Sequence, residues 1–315
     1  MVRKKISYII VTWNNEQIIK KCLTSLMKYS AYETEIIVVD NASSDFTCDV
    51  IKNLGIEEVK LIEKKENLGF SKANNVGLQQ ATGNYVFFVN PDVIFVENII
   101  GPMLNVLEKN PSIGIVSPRL LYENGSYQVS CCNFPSVKKV IWDDFHLFKF
   151  VSEDKQMQVA QAQYRGKKNH IVDWTYGAAH LCRMGDLQDI GGYAEGYFMY
   201  GEDTEFCMLF KEKLNKDTYY LWDSKLIHLG GYSESQVLNS KKIVYGTNAA
   251  MYFVKKYYGL SECTKYRIVL GMSSFLRTIV YSFKCMFSDK QHYKNEKTKW
   301  KASLDTVLHY KGTQN

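Results

Sequence analysis

Blocks of apolar and polar residues alternate regularly along the first third of the chain. Residues 6–11 form a short, mostly apolar run of the kind that makes a buried strand. Behind it, residues 16–29 place Ile18, Ile19, Cys22, Leu23, Leu26 and Met27 at helical spacing. Residues 35–39 are rich in β-branched side chains and read as a second strand. Ser44 or Asp45 can cap a helix carrying Val50, Ile51 and Leu54. Strands are then expected at 59–62, 85–89 and 113–116, with helices between them at 71–80 and 96–107. This alternation predicts an α/β fold whose mainly parallel sheet is covered by helices on both faces. Such sheets bind ligands at the carboxyl ends of their strands. Those ends fall at 12–15, 40–44, 66–69 and 90–92, and all four are polar.

The second half is less regular. Residues 121–168 read as a loop-rich insertion, 172–184 as extended, and 203–214 as a helix. Short strands are expected at 219–222 and 226–229, and helices at 241–258 and 263–287 close the chain. Residues 268–287 are apolar over roughly the length of a spanning helix. Arg277 and Lys284 would be costly inside lipid, so the reading is an interfacial helix, or one docked on the body.

Composition narrows the classes. Of 315 residues, 46% are hydrophobic and 23% charged, which excludes wholesale disorder. The net charge of +6 is concentrated late: residues 265–301 hold nine Lys/Arg against Asp289 and Glu296, leaving the rest near neutral. A basic end on a neutral body suits an anionic membrane surface. No recognised nucleic-acid-binding module accompanies it, so no nucleic-acid partner is expected. The eight cysteines show no CxxC or Cys/His metal spacing, and a reducing cytosol is the simpler reading. The run at 6–11 is too short for a signal peptide, so no export is expected.

Two phosphate-binding signatures are missing: there is no G-x-x-x-x-G-K-[ST], and no G-x-G-x-x-G follows a strand. Asp40, at a strand end, can accept a hydrogen bond from the imide N–H of a pyrimidine base, with backbone partners from Thr12, Trp13 and Asn14 beside it. The competing reading of Asp40-Asn41-Ala42-Ser43-Ser44 is turn chemistry and a helix cap. In Glu66-Asn67-Leu68-Gly69-Phe70-Ser71-Lys72-Ala73-Asn74-Asn75-Val76-Gly77, Gly69 permits an unusual turn and the helix start can face an anion. Small Ala73 and Gly77 allow close approach, and a well-capped surface helix is the plainer alternative. Asn90-Pro91-Asp92 puts a carboxylate after an apolar strand, where it suits a divalent cation on a diphosphate or, alternatively, a simple β-turn.

Together with the V-T-W-N-N start, these segments resemble, in order and spacing, the family 2 inverting glycosyltransferases of the GT-A fold, in wording closest to the rhamnosyltransferase-like branch. The resemblance covers about residues 6–232 and implies a mainly parallel, Rossmann-like sheet with a C-terminal helical extension. It divides the chain into a nucleotide-sugar half (1–120), an acceptor and catalytic half (121–235), and C-terminal helices with a basic tail (236–315). It implies donor contacts from Thr12, Trp13, Asn14, Asp40, Asn41, Asn67, Gly69, Phe70, Lys72, Ala73, Asn90 and Pro91. Asp203 becomes the base that deprotonates the acceptor, with Glu202 beside it, in the segment Gly201-Glu202-Asp203-Thr204-Glu205. Trp174, Tyr176, Gly177 and Ala178 fall on the acceptor side, and Trp174 could equally be core. Asp92 and His228 are the implied ligands of Mg²⁺ or Mn²⁺; Asn90 replaces the first acid of the usual D-x-D.

The implied activity is transfer from a nucleotide-diphospho sugar, such as dTDP-rhamnose or a UDP-sugar, to a saccharide or lipid-linked oligosaccharide in bacterial surface-polysaccharide assembly. The expected location is cytoplasmic, peripheral on the inner membrane face. The alternative is a catalytically inactive sugar-nucleotide-binding scaffold, against which intact Asp92, Glu202 and Asp203 argue. A nucleotidyltransferase would carry a Gly-rich loop with a basic residue where Thr12-Trp13-Asn14-Asn15 stands.

Overall fold

A computed structural model describes residues 4–162, 168–197, 200–230, 239–288 and 290–310. The first stretch runs β1 (Lys5–Thr12), α1 (Ile19–Tyr29), β2 (Glu33–Asp40), α2 (Thr47–Asn53), β3 (Val59–Glu63), α3 (Phe70–Leu78), β4 (Tyr85–Val89), β5 (Val93–Phe95), α4 (Ile100–Lys109) and β6 (Ile113–Leu121). It continues through β7 (Tyr127–Gln128), β8 (Cys131–Cys132), α5 (Val137–Asp144), a 3₁₀ turn (Leu147–Phe150) and α6 (Glu153–Val159). Then come β9 (His170–Val172), β10 (Trp174–Thr175), β11 (Ala179–Arg183), α7 (Met184–Ile190), α8 (Glu202–Leu214), β12 (Asp217–His228), α9 (Asn239–Phe287) and α10 (Gln291–Leu308).

The chain forms two compact units, Met1–Cys132 with Lys167–Gln236, and Asn133–Gly166 with Val237–Asn315. The segment 133–166, which sequence reading placed in the acceptor half, therefore belongs with the C-terminal helices.

In the first unit one sheet has the order β3-β2-β1-β4-β11-β6-β12-β5. Its β3-β2-β1-β4 half is parallel, as the alternation predicted. The other half is mixed, because β11 runs antiparallel between β4 and β6 and β5 runs antiparallel to β12. Ile6, Tyr8, Ile10, Val38 and Phe87 pack on one face with α1 and α4. On the other face Ile37 and Val39 pack against Ala73 of α3. Gly77 lets that helix approach closely: a Cβ there would sit 2.5 Å from the Ile9 Cγ2.

Three local expectations needed correction. The helix expected from residue 96 starts at Ile100, and Val93–Phe95 ahead of it forms a strand, β5, that was not expected. The two short strands at 219–222 and 226–229 are one strand, β12, whose pairing with β6 breaks between Leu221 and Lys225. The break coincides with Pro118, opposite Leu221, which has no N–H to give to a ladder. The basic tail contains a helix, α10, whose few apolar residues are hidden among lysines.

In the second unit α9 leaves helical geometry at Gly259 (φ 87°), within the break expected between its two halves. Val140 of α5, Met251, Val254, Cys263 and Tyr266 of α9, and Val307 of α10 form its core. The segment Lys241–Phe287 is long and apolar enough to cross a membrane by length and composition.

Gly77→Ala should force α3 away from β1 and lower stability by about 1–3 kcal/mol, as overpacking does. The midpoint of urea unfolding measures this, and an unchanged midpoint would show that the helix yields freely.

Candidate active site

Each loop at the carboxyl edge of the sheet is tied to its neighbour by hydrogen bonds. The Thr12 carbonyl accepts from Asn41 N–H (2.8 Å), and Thr12 Oγ1 donates to Asn15 Oδ1 (3.1 Å), which Trp13 N–H also approaches (3.4 Å). Asn14 N–H donates to Ser43 Oγ (2.9 Å) while its Oδ1 accepts from Ser44 N–H (2.8 Å). The buried Asp40 carboxylate accepts from the backbone N–H (2.9 Å) and hydroxyl of Ser43, so it closes its own turn. Burial and the Asp40 and Glu63 carboxylates push the nearby Cys48 thiol up to about 12. Asp45, one residue before the N-cap Phe46, accepts from Thr47 N–H (3.1 Å) at the start of α2.

Asn41 reaches across to the next loop. Its Nδ2 donates to Asn67 Oδ1 (2.8 Å) and its Oδ1 accepts from Leu68 N–H (2.8 Å). Asn67 Oδ1 also accepts from Gly69 N–H (2.9 Å), which holds Gly69 at φ 78° just ahead of α3. That conformation is open to glycine and strained for other residues. Within α3, Lys72 is exposed, whereas the Ala73 methyl is fully buried against the sheet. Ala73 therefore packs on the sheet, and its small side chain brings the start of α3 close to it. Pro91 and Ala178 are likewise buried; Ala178 contributes its carbonyl to Asn90 N–H (3.0 Å).

That bond joins the two halves of the site. Because β11 is antiparallel to β4, with Ala179 opposite Val89, the segment before β11 lies at the same edge as Asn90. Trp174 and Tyr176 meet edge to face there (ring centroids 5.3 Å). Gly177 N–H donates to Asp203 Oδ2 (3.3 Å), and a Cβ on Gly177 would meet both Asp203 Cβ (3.4 Å) and the Phe70 ring (3.6 Å). The expected donor residue Phe70, acceptor residue Gly177 and base Asp203 are thus adjacent. Glu202 and Asp203 open α8, and Asp203 Oδ1 also accepts from Thr204 N–H (2.7 Å). Desolvation pushes Asp203 up to about 6, against the Thr204 and Gly177 N–H groups, which favour its ionised form. Phe198 and Met199, shortly before Gly201, and Gly231, shortly after His228, lie outside the described residues.

At the end of β12, His228 pairs with Val93 and its Nε2 lies 3.3 Å from Asp92 Oδ1. His228 Nδ1 is 2.9 Å from Gln128 Oε1. An Nδ1–H donated to Gln128 leaves the Nε2 lone pair facing a carboxylate, and two acceptors that close call for a proton or a cation between them. Among the described residues no group of three or more His, Cys, Asp or Glu side chains could hold a metal. A two-donor set of one carboxylate oxygen and one imidazole nitrogen fits Mn²⁺ better than the oxygen-seeking Mg²⁺, with substrate phosphate and water completing the shell.

Sequence reasoning missed three supports. Gln128 sits on the two-residue β7, which carries no periodic signal. Asn75 was quoted in its motif without a role; its Nδ2 donates to the Tyr193 carbonyl (2.9 Å) and Glu195 Oε1 (3.0 Å), and its Oδ1 accepts from Tyr193 N–H (2.9 Å). His180 Nε2 lies 2.8 Å from Thr175 Oγ1, in the acceptor-side segment.

The pattern of Glycosyl transferase family 2 matches residues 7–172, just over half of the chain. The chain belongs to this family. Its relatives include a glycosyltransferase, GlyA, of Streptococcus pneumoniae serotype 4, 34% identical over 93 residues; these are 29% of this chain and 13% of that protein. Another is the N-acetylglucosaminyl-diphospho-decaprenol L-rhamnosyltransferase of Mycobacterium tuberculosis (strain CDC 1551 / Oshkosh), 24% identical over 210 residues, 62% of this chain and 67% of that protein. The chain thus spans only a small part of the first relative and about two-thirds of the second.

Two solved structures share the fold. GalNAc-T7 with UDP, GalNAc and Mn²⁺ aligns with TM-score 0.60 and 13% identity over 98% of this chain and 57% of that one. The mannosyltransferase PcManGT from Pyrobaculum calidifontis, in complex with GDP-Man and Mn²⁺, aligns with TM-score 0.58 and 14% identity over 98% and 87%. This family 2 chain therefore has the GT-A fold.

In its expected role as base Asp203 would have to be ionised to act, and a carboxyl held near 6 should then give an acid limb in kcat/KM at about pH 6, falling about tenfold per unit below it. The same upward shift has a stability sign. Stability from protonated Asp203 is fully present below the ordinary aspartate range and is lost as pH rises through about 6. Comparing unfolding of the protein and Asp203→Asn across pH 4–8 tests it; parallel curves would refute the shift.

Proposed function

We propose that the protein transfers a sugar, with inversion, from a nucleotide-diphospho sugar to a saccharide acceptor, Asp203 acting as the base. The observation that carries this reading is the Gly177–Asp203 hydrogen bond beside Phe70, which sets a partly desolvated carboxylate between the donor-loop and acceptor-side segments. The acceptor hydroxyl oxygen attacks the anomeric carbon on the face opposite the diphosphate. Its proton passes to Asp203, and the bond from the anomeric carbon to the diphosphate oxygen breaks, releasing the nucleoside diphosphate. Gly177 and Thr204 N–H groups aim the carboxylate, and Glu202 lines the same helix start. Asp92 and His228 would hold Mg²⁺ or Mn²⁺, which neutralises charge on the leaving diphosphate. Thr12, Trp13, Asn14, Asp40 and Asn41 would frame the base, and Asn67, Gly69 and Phe70 the rest of the donor.

The name of the rhamnosyltransferase relative supports rhamnose as the sugar, and our leading donor is dTDP-rhamnose, with a UDP-sugar next. That relative's name includes a diphospho-decaprenol, which favours a lipid-linked acceptor in bacterial surface-polysaccharide assembly at the cytoplasmic membrane face.

Thermal unfolding with UDP, dTDP and GDP in turn, with Mg²⁺ or Mn²⁺ and then EDTA, tests the donor site. A nucleotide at about a hundred times its Kd should add roughly 2.7 kcal/mol, and chelation should remove most of it. Asp203→Asn should abolish transfer and keep this stabilisation; losing both together would remove Asp203 from the role of base. His228→Ala should keep the fold and weaken the metal-dependent part about tenfold or more.

A further inference from the structure

Beyond Gly259, α9 has two unlike faces. One packs on α10: Ser274 and Ser303 hydroxyls lie 3.1 Å apart, Arg277 stacks over the Trp300 ring (4.5 Å), and Arg267 donates to the Val307 carbonyl (2.9 Å). Arg277 also bonds the Asp144 carbonyl at the end of α5. Arg267 and Arg277, two cations that would oppose contact with lipid, are therefore turned inward.

The other face is bare. Ile268, Met272, Phe275, Ile279, Phe283 and Met286 are 51% to 76% exposed. At helical pitch these six fall within an arc of about 80° along roughly 28 Å of axis. Leu276, Val280 and Phe287, also exposed, widen the stripe on one side, and no charged residue interrupts the arc. Exposed apolar surface of this continuity marks an interaction site.

We infer that this face of α9 inserts into an anionic bilayer, the helix lying in the plane of the interface, not across it. Charge placement selects lipid over another protein surface. Lys290, Lys294, Lys299 and Lys301 are exposed on or beside α10. At the turn of the hairpin Lys284 lies over the rings of Tyr281 (5.0 Å) and Tyr293 (5.5 Å), an amphipathic cluster suited to the headgroup level. A spanning orientation would carry Ser273, Ser274, Arg277 and the polar α10 into hydrocarbon together. An in-plane helix instead buries only its apolar face, about 5–10 Å deep. This deepens the proposed work on a lipid-linked acceptor by naming the surface that holds the enzyme at the membrane.

The full-length protein should sediment with vesicles of phosphatidylcholine and phosphatidylglycerol, and much less with phosphatidylcholine alone. Phe275→Glu/Ile279→Glu/Phe283→Glu should weaken this at least about tenfold with an unchanged unfolding midpoint, because all three side chains are exposed. Lys290→Gln, Lys294→Gln and Lys299→Gln should each weaken it about fivefold. Vesicle binding indifferent to the triple variant overturns the inference. So does light scattering that shows a dimer which the triple variant dissociates, since the stripe then covers a second copy. Nucleotide stabilisation reads separately: vesicle binding without it leaves the surface standing and removes the transferase reading, and the reverse result does the opposite.

Discussion

The site depends on one antiparallel strand. β11 enters a parallel sheet between β4 and β6, with Ala179 opposite Val89 and Leu181 opposite Val116. A strand running against its neighbours must be entered from their carboxyl edge. That requirement, and the bond from Asn90 N–H to the Ala178 carbonyl, brings Trp174–Gly177 to the loops that follow β1, β2 and β4. β12 then runs parallel to β6 and leaves at the same edge, so His228 arrives beside Asp92. Groups more than a hundred residues apart become neighbours through backbone ladders, which are stiffer than loops.

What surrounds Asp203 sets its chemistry. Phe206, one turn further along α8, stacks on Tyr193 (4.1 Å) and meets Phe88 edge to face (5.7 Å), and Tyr193 meets Phe70 (5.6 Å). Asn75 of α3 clamps the backbone of Tyr193. Burial raises the Asp203 carboxyl at the start of α8, while two backbone N–H groups limit the upward shift. Those N–H groups favour its ionised form against the desolvation that favours the neutral one. His180 serves from beneath: burial lowers it to about 4, so its hold on Thr175 does not titrate where Asp203 does.

The parallel half of the sheet was legible because period and length both distinguish buried strands from amphipathic helices. The direction of β11 was not, since an extended run such as 172–184 carries no sign of which way it joins a sheet. The three-residue β5 and the two-residue β7 that supplies Gln128 are too short to carry a periodic signal. The motif from Glu66 to Gly77 was readable as a unit, but not which members face outward. Asn67 and Gly69 shape the loop, whereas Ala73 and Gly77 fit the helix to the sheet. Small residues serve close approach to ligand and to backbone alike, and only geometry separates the two.

The donor edge also holds strain that its hydrogen bonds must offset. Asn14 (φ 52°), Ala42 (φ 64°) and Gly69 (φ 78°) are left-handed in three adjacent loops. Glycine tolerates this freely and asparagine tolerably, but alanine pays of order 1 kcal/mol or more. Ala42 persists there because Asp40 grips Ser43 by both its N–H and its hydroxyl, fixing the turn on either side. Asn14 is held in turn by the Ser43 hydroxyl and Ser44 N–H, so one short segment clamps two strained positions. A loop that could relax would not need such bonds. The turn role of Asp40 and its proposed role toward a base are therefore compatible: two of its lone-pair sites fix the loop, and a carboxylate has more to offer.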